Sequence, residues 1–574
     1  MRIITSLALQ RRSMGFVPNE LDATSWEQLE PLYENLASRS LHDVNQLEMM
    51  IQDESELREW VSEAGSRLYV SMTCSTDDEE KKSAYLDFVE NVEPKLSAIG
   101  DRLNRLIMES PAVNELDSEK YEVMIRDIRA DIEIFREENI PLSTELTKLG
   151  QQYEEICGSM MVTFEGEERT MQQMGKFLQV TNRETRENAW KSVWERRMKD
   201  ADKIDDLYEQ MLTIRHQIAL NAGFENFRDY AFVAKHRFDY TPSDCEDFHL
   251  AAEEVCVPLG RILDKERKEL LDVDSLRPWD LGVDVHGRPP LKPFENVDEM
   301  VDGTSRMFHK VSNELGIMFD SLRDGKSLDL DSRKGKAPGG YQISFDKIRR
   351  PFIFMNATGL QRDLETMVHE AGHAFHAMYS SELELIDHRD PPIEYAEVAS
   401  MSMELLVHPH LDEFYSKIDA DRARRSHLEG IVGLLPWIAT IDAFQHWVHT
   451  NPGHSRNDRT EVWRDLRSRF GANVEWDGIE GMRDVGWHRQ LHLFTYPFYY
   501  IEYGIAQLGA LQVWLQSLDS IERALENYAH SMKLGGSKPL PDLFGAAELE
   551  FSFDPITVQR LIDAVQLKLS ELPA

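Results

Sequence analysis

The stretch from Asp363 to Ser400 constrains this chain more than any other. Its centre reads His369-Glu370-Ala371-Gly372-His373, inside the run QRDLETMVHEAGHAFHAMYSSEL. The run reads as a helix. On a helix, residues four apart share a face, so His369 and His373 can point two imidazoles at one ion. Glu370 lies between them in sequence, close enough to hold a water on that ion. Zinc suits such a set. It takes neutral imidazole nitrogen, leaves a coordination position open, and lowers the pKa of a bound water from about 15.7 to roughly 7. Glu370 can then accept the proton and deliver it to a leaving amine.

A third protein ligand is required, and the segment PPIEYAEVASMSMELL supplies it. Pro391-Pro392 mark a helix start. Glu394 and Glu397 lie one turn apart on that helix, and either could serve. The metzincin pattern does not apply, because its further Gly and third His fall where this chain has His376 and Tyr379. Two histidines on an ordinary helix would give the same letters. The helical context, the small Gly372 on the inner face and the glutamate-bearing helix close behind favour the metal reading.

On these residues the chain resembles the thimet oligopeptidase family, and within it the bacterial oligoendopeptidase F-like branch. The resemblance runs from about residue 16 to the end and is densest at 339–405 and 487–550. The family pattern sets the third ligand in an E-x-x-S context. Here that is Glu397-Val398-Ala399-Ser400, so the resemblance implies one Zn²⁺ per chain on His369, His373 and Glu397. Thermolysin-like relatives carry an Asp four residues after the third ligand, where it orients a zinc-bound His. This chain has Met401 there. The orienting carboxylate must come from elsewhere, with Asp363, Glu365 and Glu394 as candidates.

A second constellation is WHRQLHLFTYPFYYIEYGIAQLGAL, residues 487–511. Pro497 is expected in the first turn of a helix, with Tyr500 and Tyr503 on one face. A phenol is uncharged at neutral pH and donates one strong hydrogen bond, which suits it to an oxyanion. Aromatic stripes at helical spacing are more often core than chemistry. The resemblance reverses that weighting, since the family carries a His and several Tyr against the substrate carbonyl. These map to His492, Tyr496, Tyr500 and Tyr503, with His488 and Tyr499 left open.

The stretch 339–356, GGYQISFDKIRRPFIFMN, changes period. Two strands joined by residues 346–350 are predicted. In gluzincin peptidases an edge strand in this place lies along an extended substrate. A peptide could bind it by strand addition, with Gly339, Gly340 and Tyr341 as substrate contacts.

The rest of the chain sets bounds. Apolar residues recur at helical spacing from residue 16 to about 160, for example Leu29, Leu32, Leu36 and Leu41. This predicts an N-terminal helical region, residues 1–165, and a catalytic region, residues 166–574, with a short strand or turn at 159–167. Residues 276–294 read as an ordered surface loop. Pro436 is expected to kink or break the apolar helix at 427–453. A final amphipathic helix starts near Pro555. There are 64 basic and 102 acidic residues, a net charge of −38. Such a surface repels phosphate backbones and excludes nucleic acid as a partner. No apolar run is long enough to span a membrane, and Arg11-Arg12 cut the N-terminal apolar run too short for a signal peptide. Cys74, Cys157, Cys245 and Cys256 form no C-x-x-C pair, which reads as reduced thiols in a cytoplasmic protein.

The expected fold is mainly α, gluzincin-like, with a small sheet beside the motif helix. The resemblance adds two helical lobes around a deep channel that admits short unstructured peptides and excludes folded proteins. The expected activity is zinc-dependent cleavage of internal bonds in such peptides, by a monomer or small homo-oligomer. A carboxypeptidase or dipeptidyl-carboxypeptidase would use the same zinc chemistry but needs a cation for the substrate's C-terminus. A non-catalytic peptide-binding helical protein with a structural zinc would need a closing fourth ligand, for which His376 is nearest in sequence.

Overall fold

A computed structural model describes residues 15–333, 335–337 and 339–573. The N-terminal run read above as too short for a signal peptide falls mostly outside the described residues. From residue 26 to 158 the chain is a succession of helices: Trp26–Ala37, Val44–Thr73, Glu79–Asn91, Glu93–Glu109, Ser118–Ile134 and Asn139–Gly158. Aspartates start three of them. Asp43, Asp78 and Asp117 each accept backbone N–H groups of the first turn, which removes orphan donors there. The leucines predicted to face inward do so: Leu29, Leu36 and Leu41 join Leu47, Leu57 and Leu103 in a core of their own. The charged run at residues 77–82 holds the cap and first turn of a helix instead of a site.

A hairpin follows, β1 (Met161–Phe164) and β2 (Glu167–Thr170). Its two-residue turn is Glu165-Gly166, both at positive φ (52° and 83°), the twist that matches paired strands. The helices beyond it, together with Asn139–Gly158, enclose a second and larger core. The second sheet has three strands: β3 (Leu328–Asp331), β4 (Tyr341–Phe345) and β5 (Arg350–Ala357), in the order β3-β5-β4. β5 is central and largely buried, and β4 pairs antiparallel to it with Tyr341 opposite Phe354 and Phe345 opposite Arg350. β4 therefore has one unpaired edge.

Three helices carry the site. The motif helix is Gln361–Tyr379, the glutamate helix Ile393–Leu406 and the tyrosine helix Tyr500–Asp519. The glutamate helix packs between the other two. It is buried almost all round, which is why its sequence shows no polar face.

Two local expectations change. Pro436 does not break its helix, which runs unbroken from Lys417 to Thr450. Leu428, Ile431, Val432, Leu435, Ile438 and Ile441 on either side are fully buried, and Thr440 donates to the Pro436 carbonyl at 2.8 Å. Packing on both sides of the proline outweighs the lost backbone bond. Pro497 is not in the first helical turn either. The tyrosine helix begins at Tyr500, because Phe498 sits at φ 62°. Its N–H donates to Gln445 at 2.6 Å and its carbonyl accepts from Arg237. No described helix is long and apolar enough to cross a membrane.

Candidate active site

The motif helix is started by its own third residue. Asp363 accepts the backbone N–H groups of Thr358, Gly359 and Leu360. This carboxylate is a helix cap and touches neither histidine.

His369, His373 and Glu397 converge. His369 Nε2 and His373 Nε2 lie 3.3 and 3.5 Å from Glu397 Oε2, and the three donor atoms lie within 4.8 Å of one another. Ligands about 2.0–2.2 Å from a tetrahedral ion stand roughly 3.3–3.6 Å apart. The set therefore fits a zinc-sized ion. Convergence depends on Gly372. A Cβ there would meet Ser400 Cα at 2.5 Å and the Ala399 carbonyl at 2.7 Å, so only glycine lets the two helices approach this closely.

Two of the three donors, Glu397 and His369, are steered from outside. Glu397 Oε1 accepts from the Tyr499 hydroxyl at 2.8 Å, and Oε2 from Ser400 Oγ at 2.9 Å. Burial would raise the Glu397 pKa, but His373 and His369 overcome it and hold the group well below its ordinary value. It is an ionised carboxylate. His369 Nδ1 lies 2.7 Å from Glu404 Oε1, and Glu404 Oε2 lies 2.8 Å from His427 Nε2. Glu404 is the orienting carboxylate that the sequence reading did not find. It stands seven residues, two turns, after Glu397 on the same face, and that spacing is the signal which could have found it. The three candidates named from sequence are engaged elsewhere: Asp363 at the cap, Glu365 with Gln361 at 3.0 Å, and Glu394 with the Tyr240 hydroxyl at 2.6 Å.

Glu370 is buried and lines the cavity described below. Burial raises its pKa, while His369 and His373 oppose the rise. The Gln342 backbone in β4 lies against its carboxylate. His376 is also buried, without hydrogen-bond partners, but it is not among the three converging donors.

A chain of donors fixes the second constellation. Trp437 Nε1 can only donate, and it lies 3.3 Å from the Tyr500 hydroxyl. Tyr500 therefore donates onward to Gln490 Oε1 at 3.1 Å. That orients the Gln490 amide so that its Nε2 donates to His492 Nδ1 at 2.9 Å. The His492 proton is then on Nε2, 3.4 Å from the Tyr503 hydroxyl. Burial pushes the His492 pKa down to about 4, Glu397 opposing and Lys235 assisting. His492 is a neutral N–H donor. Burial likewise keeps Tyr503 protonated, its pKa held well above the ordinary value.

The other named residues occupy different places. Tyr500 is buried, with its hydroxyl on Trp437 and Gln490. Tyr496 is half exposed, its ring 6.3 Å from that of His492. His488 is buried against Trp487 and faces Asp205. Gly340 lines the cavity. The Tyr341 ring stacks on Phe354 at 4.7 Å and its hydroxyl meets Thr73 Oγ1 at 2.6 Å, so this side chain braces β4 against the N-terminal helices. The Gly339 carbonyl accepts from Asn356.

The site opens on a cavity of about 1070 Å³ between the N-terminal helices and the catalytic elements. Residues 340–344 of β4 form part of its wall. Helix Val44–Thr73 is fastened across it, with Arg58 on Asp387 at 2.7 Å and Glu59 on Arg389 at 2.8 Å. Burial pushes three wall carboxylates up: Glu54 to about 7, Asp127 to about 6 and Asp390 to about 6.

Comparison with known proteins places this geometry. Residues 16–135 match the Peptidase M3 N-terminal domain, and residues 176–555 match Peptidase family M3. The chain belongs to peptidase family M3. Its relatives place it with the oligoendopeptidase F-type members. It is 24% identical to the oligopeptidase PepF of Bacillus subtilis (strain 168) over 416 residues, 69% of this chain and 58% of that protein. It is 22% identical to the chromosomal oligoendopeptidase F of Lactococcus lactis subsp. cremoris over 380 residues, 63% and 59% of the two chains. The chain thus spans somewhat over half the length of these curated relatives. Among solved structures, PZ peptidase A with inhibitor 2 superposes with a TM-score of 0.92 at 28% identity, covering 97% of this chain and 99% of that one. Oligoendopeptidase-F from Enterococcus faecium shares the fold, with a TM-score of 0.63 at 16% identity over 95% and 98% of the chains.

Proposed function

We propose that this M3 family member is a zinc endopeptidase that cuts internal bonds of short unstructured peptides. The observation that carries this reading is one convergence. His369, His373 and Glu397 meet at zinc-like spacing, beside Glu370, on the wall of a cavity bordered by the free edge of β4.

His369, His373 and Glu397 would hold the ion. When bound, it supplies Lewis acidity that activates a water and polarises the scissile carbonyl. Glu370 takes the proton of the attacking water and returns it to the leaving nitrogen. Its raised pKa suits both halves of that task. His492 Nε2–H and the Tyr503 hydroxyl donate to the developing oxyanion, His492 as the neutral imidazole and Tyr503 as the un-ionised phenol. Tyr499 holds Glu397 and Glu404 holds His369, so these are positioning residues. The peptide backbone pairs with β4 by strand addition, which reads length and extension more than side chains.

The cations of the cavity wall support internal cleavage. Arg58, Arg126, Lys235, Arg237 and Arg389 line it. Each has a carboxylate within 3.3 Å: Asp387, Asp239, Glu502 for both Lys235 and Arg237, and Glu59. A C-terminal carboxylate finds no uncommitted cation among them, as a carboxypeptidase would require.

The test is digestion of a mixture of unstructured peptides beside a folded protein, with products read by mass. Internal cuts confined to the short peptides, lost with a chelator and restored by Zn²⁺, are expected. Release of only one or two C-terminal residues would move the enzyme to the carboxypeptidase class. Stoichiometric metal with no cleavage would make the site structural.

A further inference from the structure

A second group of metal-competent side chains lies outside the cavity. Two helices build it, each with a pair four residues apart. Helix Pro242–Ala251 carries Cys245 and His249, and helix Lys417–Thr450 carries Asp442 and His446. On each helix the pair shares a face, and the two helices pack together. Cys245 Sγ, an Asp442 carboxylate oxygen and a His446 ring nitrogen lie within 4.8 Å of one another. All three residues are buried, Cys245 and Asp442 completely. His249 Nε2 lies 2.8 Å from Asp442 Oδ2, and its ring stands 5.6 Å from that of His446 at 82°.

The hydrogen bonding of this group does not close. His446 Nε2 lies 3.3 Å from Asp442 Oδ2, while Asp442 Oδ1 and His446 Nδ1 have no partner, and neither do Gln445 Nε2 and His449 Nε2 on the same helix. Buried polar atoms are nearly always satisfied, and each orphan is costly. Four such atoms lie between Asp442 and His449, two of them on residues of the donor set, and Asp442 Oδ1 offers a lone pair that the protein does not use.

We propose that Cys245, Asp442 and His446 form a second metal site, for one thiophilic divalent transition ion such as Zn²⁺. His249 orients the Asp442 carboxylate from behind. The donor set of one sulfur, one oxygen and one nitrogen is of the kind that selects zinc over magnesium or calcium. On binding, the Cys245 S–H bond breaks, its proton leaves to solvent, and the thiolate forms a bond to the ion. All three donors are buried, and an ion here would brace the two helices against each other. The site lies under the loop that leads into the tyrosine helix. The Phe498 ring stands 5.6 Å from that of His446, and the Phe498 N–H is held by Gln445. An ion here clamps two helices beneath the loop that aims Tyr499 at Glu397.

Cobalt substitution of the full chain tests this, since a thiolate on Co²⁺ gives a near-ultraviolet charge-transfer band and the cavity cluster contains no sulfur. Two metal equivalents and a thiolate band are expected. His373→Ala should lose one equivalent and keep the band. Cys245→Ala should lose the other equivalent and the band. Should Cys245→Ala not fold, Cys245→Ser keeps the volume and reads the same way, because a hydroxyl gives no such band. The absence of a band in the unmodified chain, or a band that survives both Cys245 substitutions, overturns the proposal. The band does not depend on the cavity cluster, so either site can fail without the other.

Discussion

The cavity cluster and the sealed cluster are built by one device and put to different uses. Both take ligand pairs four apart on helices and bring them together by helix packing. In the cavity cluster two donors are held from outside: Tyr499 and Ser400 hold Glu397, and Glu404 holds His369. Open space, a buried carboxylate and two neutral donors stand beside it. In the sealed cluster Asp442 Oδ1 and His446 Nδ1 are orphaned, the donors are buried, and a thiol replaces one imidazole. Donor geometry therefore says where an ion can sit. What surrounds the donors says whether it can do chemistry.

Substitutions can break that contrast. The largest effect is expected from Glu370→Gln, which keeps the donors and removes the base. Turnover of a peptide should fall by about 10²–10⁴-fold while metal analysis shows the cavity ion retained; near-normal hydrolysis would remove Glu370 from the mechanism. Tyr503→Phe should lower kcat by about 10²–10³-fold with little change in KM, because its bond tightens only in the transition state. Steady-state kinetics on one peptide decide this, and a pure KM effect would make Tyr503 a binding residue. Glu404→Gln should weaken metal binding at the cavity by about 10–100-fold. Chelator competition reads this, and the Cys245 band should not move. A change in that band would mean the two sites are coupled. Gly372→Ala should destabilise the fold by about 1–3 kcal/mol, because the added methyl meets Ser400 backbone. Denaturant midpoints test it, and an unchanged midpoint would mean that the helix packing yields. The smallest effect is kinetic: a chelator should strip the unmodified chain in two phases, fast from the open cavity and slow from the sealed core. A single phase would erase the distinction drawn here.

Much of the cavity site was legible in the chain. His369, Glu370 and His373 are a local pattern whose meaning depends only on helical period, and Glu397 stands in a short context one helix later. The edge strand before the motif helix announced itself by its change of period. What could not be read depends on partners distant in sequence. Pro436 stays helical because of core on both sides. Phe498 delays the tyrosine helix because Gln445 and Arg237 hold it at positive φ. Tyr499, not Tyr500, reaches Glu397 for the same reason, since that delay sets the rotation of everything after it.

The sequence by itself determined the helical class, the sheet beside the motif helix and the identity of the donors that share a helix. These follow from periods of two and 3.6 residues, which are local. Only the tertiary structure decided that Glu404 backs His369, that Gln490 sets the His492 proton on Nε2, and that Cys245 meets Asp442 and His446. Each of those pairings depends on how two helices are rotated and shifted against each other. That register is set by the packing of the whole core, and no short stretch of chain encodes it.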